Sequence, residues 1–491
     1  MVLSSEGNEV RQEEQQGVGV PHNTGEVGEL SPTEPDGGKG ALAQGVVEGR
    51  HVGTPRPEDV STRLQRVTEL AKLAPDMAFT TLAHHIDVAF LKEAYRRTRK
   101  DGATGVDGQT AAEYEANLEE NLQSLLDRAK SGTYRAPPVR RVRIPKGDGG
   151  TRPIGIPTFE DKVLQRAVTM LLEAIYEQDF LDCSYGFRPG RSAHQALGAI
   201  WQNVMGMRGC FLIEVDIRRY FDTLDHGHVR EILSQRVRDG VVRRLIGKWL
   251  NAGILERGEL SYPKAGTPQG GVISPLLANV YLHHVLDQWW NKDVLPRMRG
   301  KAFLVRYCDD FVMGFEHKQD AERVMEMLPK RFARYGLELH TEKTRMLDFQ
   351  APDRKGRDWG DRRPGTFDFL GFTHYWGRSR KGNWVVKRKT AAKRFSRVLK
   401  RTNQWLRRMR HEPVKWMHKR LSKALIGHYS YFGITGNGDA LKRLRDEVGR
   451  LWRKWLNRRS WRAQMPWERF RLLLDRYPLP PARVVHSIFA Q

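Results

Sequence analysis

Tyr307-Cys308-Asp309-Asp310 sets two adjacent carboxylates between two apolar runs, Phe303-Leu304-Val305-Arg306 before and Phe311-Val312-Met313-Gly314-Phe315 after. The pattern reads as a strand–turn–strand whose tip carries the charges. Like charges this close repel, and apolar flanks make their ionisation costlier still. Two arrangements relieve the conflict: a divalent cation, which takes hard oxygen ligands, or an ordinary hairpin loop with both acids facing water. A third carboxylate favours the cation. Phe211-Leu212-Ile213-Glu214-Val215-Asp216-Ile217 is a second β-prone run ending in an aspartate, far enough upstream to be a separate strand of the same sheet. Three carboxylates from two strands can hold two metal ions about 4 Å apart. One ion would activate an attacking hydroxyl and the other would neutralise a leaving pyrophosphate, which suits nucleotidyl transfer. Asp222 and Asp225, just downstream, compete for the third ligand position, although acids at a helix start more often serve as caps.

The motifs that surround these acids come in a recognisable order. Arg143-Ile-Pro-Lys146-Gly-Asp-Gly-Gly-Thr-Arg152-Pro-Ile-Gly-Ile-Pro157 is followed by Ser184-Tyr-Gly-Phe-Arg188-Pro-Gly-Arg191-Ser192 and then by the Asp216 strand. After those come Gly266-Thr-Pro268-Gln269-Gly270-Gly271-Val-Ile-Ser274-Pro275, the Tyr307 turn, Gly336-Leu-Glu-Leu-His-Thr-Glu-Lys343-Thr and Phe369-Leu370-Gly371-Phe372. Across roughly residues 85 to 470 the chain resembles the bacterial group II intron-encoded reverse transcriptases and maturases. The resemblance implies an α+β right-hand polymerase, with fingers and an antiparallel palm sheet, followed by an α-helical thumb/maturase domain. It implies two Mg²⁺ ions, with Mn²⁺ as a substitute, held by Asp216, the backbone carbonyl of Ile217, Asp309 and Asp310. Asp216, Asp309 and Asp310 would then be the catalytic residues.

The resemblance also assigns a nucleotide pocket. Lys146 and Arg152 flank a Gly-rich turn and would meet the triphosphate of an incoming dNTP, although a solvated basic hairpin has the same composition. Gln269 would help hold the nucleotide, on a loop whose glycines admit close backbone approach. Phe221 takes the position of an aromatic gate against a 2′-hydroxyl; ordinary core packing is the plainer alternative. Arg188, Arg191 and Ser192 look like template contacts, and Gly371 lies in what resembles a primer-gripping hairpin. Lys343 is open between supporting the sheet and approaching the phosphates. Cys308 stands where the commonest family turn has Ala, and Arg218-Arg219 replaces a Lys-Gly type pair; neither change suggests an inactive enzyme.

The formal net charge is +25 and unevenly spread. Residues 1–60 hold 11 Asp/Glu against 4 Lys/Arg, whereas residues 376–491 hold 31 Lys/Arg against 6 Asp/Glu. The acidic segment has no aromatic residue, and its Gly, Pro, Glu, Ser and Gln content predicts disorder. Structure is expected to start near Ser61, with Leu64, Val67, Leu70 and Leu73 on one helix face. The expected organisation is 1–60 disordered, 61–110 amino-terminal extension, 111–375 fingers and palm, 376–470 thumb/maturase and 471–491 tail.

In the carboxyl third, Leu441, Leu444, Val448, Leu451, Trp452, Trp455 and Leu456 share one helical face. Phe395, Val398, Leu399, Leu406 and Met409 follow the same plan on an earlier helix. Arg443, Arg450, Arg453, Lys454, Arg458 and Arg459 crowd the remaining surface with few acids at i+4, so an external polyanion is expected there. His428, in a string that resembles the maturase-specific segment, reads as structural.

Cys183, Cys210 and Cys308 form no zinc spacing, which fits a reducing bacterial cytoplasm, with nucleoid association as an option. No secretory signal or membrane span is read, and no HNH-type endonuclease pattern follows the basic helices. The leading reading is an RNA-directed DNA polymerase that binds its parent group II intron RNA, assists its splicing and copies it during retromobility. Its partners would be that RNA, an RNA template with a DNA primer, dNTPs and target DNA. The alternatives are a non-enzymatic splicing cofactor and a domesticated reverse transcriptase in DNA repair or phage defence.

Overall fold

In a computed structural model of the chain, the described residues are 59–145, 150–262, 265–267, 269–352, 365–460, 462 and 464–487. The expectations for residues 1–58 and for Lys146 lie outside them. The fold is α+β. Its strands, among the described residues, begin with β1 (Val139–Pro145), β2 (Thr151–Ile156), β3 (Gly209–Val215), β4 (Ile254–Glu256), β5 (Glu259–Ser261) and β6 (Ala302–Tyr307). They continue with β7 (Asp310–Phe315), β8 (Arg345–Gln350), β9 (Phe367–Phe369), β10 (Phe372–Arg378) and β11 (Trp384–Thr390).

The central sheet has the order β6-β7-β3-β8 and is antiparallel throughout. Its side chains alternate between two buried layers, as the period of two requires. Ile213, Val215, Leu304, Phe311, Met313 and Phe315 face the large helical cluster that includes Phe159–Asp179 and Lys318–Ala333. Cys210, Leu212, Phe303, Val305 and Val312 face the helix Ala193–Gly206 together with Phe369, Phe372, Trp376 and Val386 of the β9-β10-β11 sheet. With both faces covered, the strand ends are where a polar site can form.

A second sheet, β2-β1-β4-β5, mixes an antiparallel β1–β2 hairpin with a parallel β1–β4 pairing. The carboxyl third is helical: Ala392–Arg408, Val414–Phe432, Gly438–Leu456 and Trp467–Arg476. Leu406, Met417, Leu421, Leu444, Val448, Trp452 and Phe470 form its core. Beyond the last of these helices the chain returns. Val485 and His486 donate to the Gly433 carbonyl, Thr435 donates to His486, and the His486 ring stacks on His194 at 3.6 Å.

The first helix, Val60–Leu73, departs from expectation. It buries Val60, Val67 and Ala71 and leaves Leu70 and Leu73 at 51% and 81% exposure. At 100° per residue Leu70 and Leu73 lie about 80° and 140° from the centre of the buried stripe, so an i, i+3 reading drifts off it.

Candidate active site

Pairing of Tyr307 with Asp310 closes β6 onto β7 and leaves Cys308 and Asp309 as the turn. Cys308 takes φ = 58° and is buried. The β3–β7 register pairs Val215 with Phe311, so the next position of β3, Asp216, falls beside Asp310. The three aspartates thus share one end of the central sheet. Burial pushes the Asp310 carboxyl up to about 7, with Asp309 and Asp216 adding to the effect and Lys343 and Arg394 opposing it. Burial also raises Asp309; Arg152 pulls against the shift and Asp216 adds to it. Lys343 Nζ lies 2.8 Å from Asp216 Oδ2, which places it beside the carboxylates and leaves both of its expected roles open.

The turn rests on a buried charge pair that the sequence reading passed over. Arg306, at 0% exposure, meets Asp287 through Nε at 2.8 Å and Nη2 at 2.5 Å. The same guanidinium donates to Asn279 Oδ1, Ser184 Oγ and the Cys308 carbonyl. Burial alone would raise the Asp287 pKa, but Arg306 and His283 hold it below its ordinary value. The signal was present: an arginine within an otherwise apolar strand must find a partner when buried. The segment Cys183–Gly186 runs alongside β6, with Tyr185 N donating to Arg306 O and Arg306 N to Cys183 O. A Cβ at Gly186 would lie 2.4 Å from Cys308 N, so only glycine lets that segment seat against the turn.

The residues expected to meet a nucleotide lie on three elements. Arg152, on β2, is within electrostatic reach of Asp309. Gln269 accepts from Gly155 N through its backbone carbonyl at 2.7 Å, which fixes its loop to β2. The same loop is tied to the Phe221 turn, with Thr267 N donating to Phe221 O and Gly266 N to Leu224 O, both at 2.8 Å. His226 bonds the Gly266 carbonyl at 2.6 Å, and Thr267 Oγ1 lies 2.8 Å from Ser274 Oγ. Phe221 is half-buried and packs edge-on against Tyr220. Asp225 accepts from His228 N as the cap of the helix His226–Arg236, the plainer of its two expected roles, and Asp222 is exposed. Ile217 bridges Leu339, flanked by bonds from Arg218 N and His340 N, so its own carbonyl points away from that segment.

The residues expected to touch template and primer take different positions. Arg188 is 7% exposed, and its guanidinium is engaged by Glu177 and by the Leu181 and Ser184 carbonyls, so it ties the loop instead of facing a template. Ser192 caps the helix Ala193–Gly206 in a capping box with Gln195. Arg191 pairs with Asp182 at 2.5 Å and keeps a partly exposed side chain. Leu370 and Gly371 form the two-residue turn between β9 and β10, with φ of 49° and 82°. Its position near the acids is marked by Tyr431, which donates to Leu370 O and is within electrostatic reach of Asp310.

On the carboxyl helices, Arg443, Arg450, Lys454 and Arg458 are exposed. Arg453 lies over the Trp467 ring, Lys454 and Arg458 over Trp455, and Arg443 over Phe395. Arg450 pairs with Glu447. Arg459 is taken up internally, donating to the Glu412 carbonyl at 2.6 Å. His428 is buried against Phe432, as a structural histidine should be.

Among the described residues, no group of three His, Cys, Asp or Glu converges closely enough to count as a ready metal cage. The donor set nevertheless fits a hard divalent cation: carboxylates at one sheet end, reachable from solvent, with Lys343 and Arg394 opposing their charge. Among the described residues, no helix is long and apolar enough to cross a membrane.

Residues 144–374 match the family described as reverse transcriptase (RNA-dependent DNA polymerase). Protein YkfC of Escherichia coli K12 is 38% identical over 240 residues, covering 43% of this chain and 62% of that protein. Group II intron-encoded protein LtrA of Lactococcus lactis subsp. cremoris is 35% identical over 283 residues, covering 55% of this chain and 46% of that protein. The nuclear intron maturase 4, mitochondrial, of Arabidopsis thaliana is 28% identical over 128 residues, 26% of this chain and 16% of that protein. The chain thus spans less than two thirds of the length of these curated relatives. With the ordered motifs gathered at one end of the sheet, residues 144–374 are similar to reverse transcriptases, and part of the chain is similar to group II intron-encoded proteins.

Proposed function

We propose that the protein is an RNA-directed DNA polymerase that binds group II intron RNA, assists its splicing and copies it into DNA. The observation that carries this reading is the meeting of Asp216, Asp309 and Asp310 at one sheet end, with Arg152 in electrostatic reach. In this reading β1, β2 and the loop of Gln269 are fingers, the central sheet is the palm and the helices from Ala392 are the thumb. Asp216, Asp309, Asp310 and the Ile217 carbonyl would hold two Mg²⁺ ions, which when bound lower the pKa of a primer 3′-hydroxyl and neutralise the leaving pyrophosphate. Arg152 orients the triphosphate, Gln269 and Phe221 wall the nucleotide, and Arg306 keeps the turn rigid so that both acids stay aligned. The basic helices Ala392–Arg408 and Gly438–Leu456 supply the RNA surface. The relatives named as intron-encoded protein and intron maturase support an intron partner.

Primer extension on poly(rA)/oligo(dT) with Mg²⁺ tests the chemistry. The wild type is expected to extend the primer and Asp309→Ala to lose extension while keeping its Tm. Undiminished extension by Asp309→Ala would sink the mechanism.

A further inference from the structure

Phe187 stands out in the segment that seats against the catalytic turn. Its backbone takes φ = 54°, a region that costs a bulky residue about 1–2 kcal/mol. Its side chain is 55% exposed, so burial does not offset that strain. The strain is imposed by neighbours that are each fixed. Ser184 Oγ accepts from Arg306, and Tyr185 N donates to the Arg306 carbonyl. The Gly186 carbonyl accepts from Asn279 Nδ2 at 2.7 Å, and Gly186 itself abuts Cys308 N. On the other side, Arg188 bonds Glu177 and two carbonyls. Both flanks are therefore anchored to the charge network beneath the turn, and the one side chain they present outward is an aromatic ring. A glycine would satisfy the same backbone without penalty. Strain that the surroundings over-determine, at a site next to catalytic groups, points to a use for the strained residue.

We propose that Phe187 is a positioning residue that packs its ring against the nucleotide unit of the template–primer lying next to the Asp309–Asp310 turn. The inference rests on the polymerase reading and adds a contact to it. An exposed aromatic face suits a nucleic-acid strand because every nucleotide offers a base face and a sugar edge, so contact is insensitive to sequence. Because Gly186 locks the segment to Cys308 N, the ring and the carboxylates keep a fixed relation: whatever the ring holds is held in register with Asp309 and Asp310. Phe187 therefore acts on the placement of the strand and takes no part in bond making.

The test compares the wild type with Phe187→Gly, Phe187→Ala and Phe187→Tyr in primer extension on an RNA template annealed to a DNA primer. Thermal unfolding of each protein is measured in parallel. The expected result is a KM for template–primer about tenfold higher in the Gly and Ala variants, the scale of one base–aromatic stack. The maximal rate at saturating template–primer stays that of the wild type, and Tyr restores the wild-type KM. The Gly variant keeps or exceeds the wild-type Tm, because its backbone strain is relieved. A wild-type KM in Phe187→Gly overturns the proposal. So does a Tm of the Gly variant that falls together with activity, since the ring would then serve the fold. If the wild type itself does not extend the primer, the polymerase reading fails and this inference falls with it, an outcome visible in the first control.

Discussion

Lys343 and Asp216 form an ion pair at 2.8 Å in the middle of an acidic cluster whose Asp310 is already pushed up to about 7, chiefly by burial. The lysine offsets charge that a divalent ion would also offset, so the two should substitute for one another in stabilising the fold. Removing the lysine leaves the carboxylates more strongly in need of a cation, and a ligand of the folded state raises stability in proportion to its affinity. Lys343→Ala should therefore gain more Tm from millimolar Mg²⁺ than the wild type gains, in paired melting curves with and without the ion. Equal gains would show that the ion and the lysine do not share that charge. At this scale the legible signal was a carboxylate at the end of an apolar run. Asp216, Asp309 and Asp310 each sit at the end of such a run, and so were readable. Arg306 breaks such a run, but its partner Asp287 lies on a separate helical stretch, and no local pattern connects them. Arg188 and Arg191 looked alike in sequence; only the fold shows that the first turns inward to Glu177.

Elements were readable to the extent that their periodicity was complete. The β6–β7 hairpin and the helix Gly438–Leu456 fall where alternation and the i, i+3, i+4 stripe place them, and the expected face of that helix is largely buried. The helix Val60–Leu73 falls where expected, but its buried stripe runs through the small Ala71 and not through Leu70 and Leu73, so side-chain size does not mark its inner face. The β9-β10-β11 sheet held a feature that residue types alone conceal. His374 is fully buried opposite Arg388, which is 1% exposed, and it stacks on Phe367 at 4.5 Å. Burial, reinforced by Arg388, depresses the His374 pKa from 6.5 to about 3. The folded chain thus refuses a proton that the unfolded chain accepts near pH 6.5. The stability held by neutral His374 is complete above that pH and is lost as pH falls toward 3, by about 1.4 kcal/mol per pH unit. His374→Phe removes the titration, so the Tm difference between variant and wild type should shift in favour of the variant from pH 7 to pH 4.5. A difference that stays constant with pH would place the buried imidazole outside that linkage.

For the whole molecule the governing quantity is the +25 charge and its concentration in the carboxyl third. Arg443, Arg450 and Lys454 line one exposed face of the helix Gly438–Leu456, with Arg458 exposed just beyond its end, and three of the four lie against aromatic rings. Reversing these four charges should weaken binding to a structured intron RNA at low salt. It should also flatten the slope of log affinity against log salt by about 0.7–0.9 for each phosphate no longer neutralised. Wild-type affinity and slope in the reversed variant would move the RNA surface elsewhere. The returning segment behind these helices has a consequence for how the chain is made. His486 stacks on His194, and it and Val485 bond the Gly433 carbonyl, so the last described residues fasten a helix formed much earlier in synthesis. Domains fold in order as they leave the ribosome. The sheet that carries the aspartates can therefore be complete while the basic helices still lack this clasp. A nascent chain would spend that interval with the Tyr307–Asp310 turn formed and its basic helices unfastened.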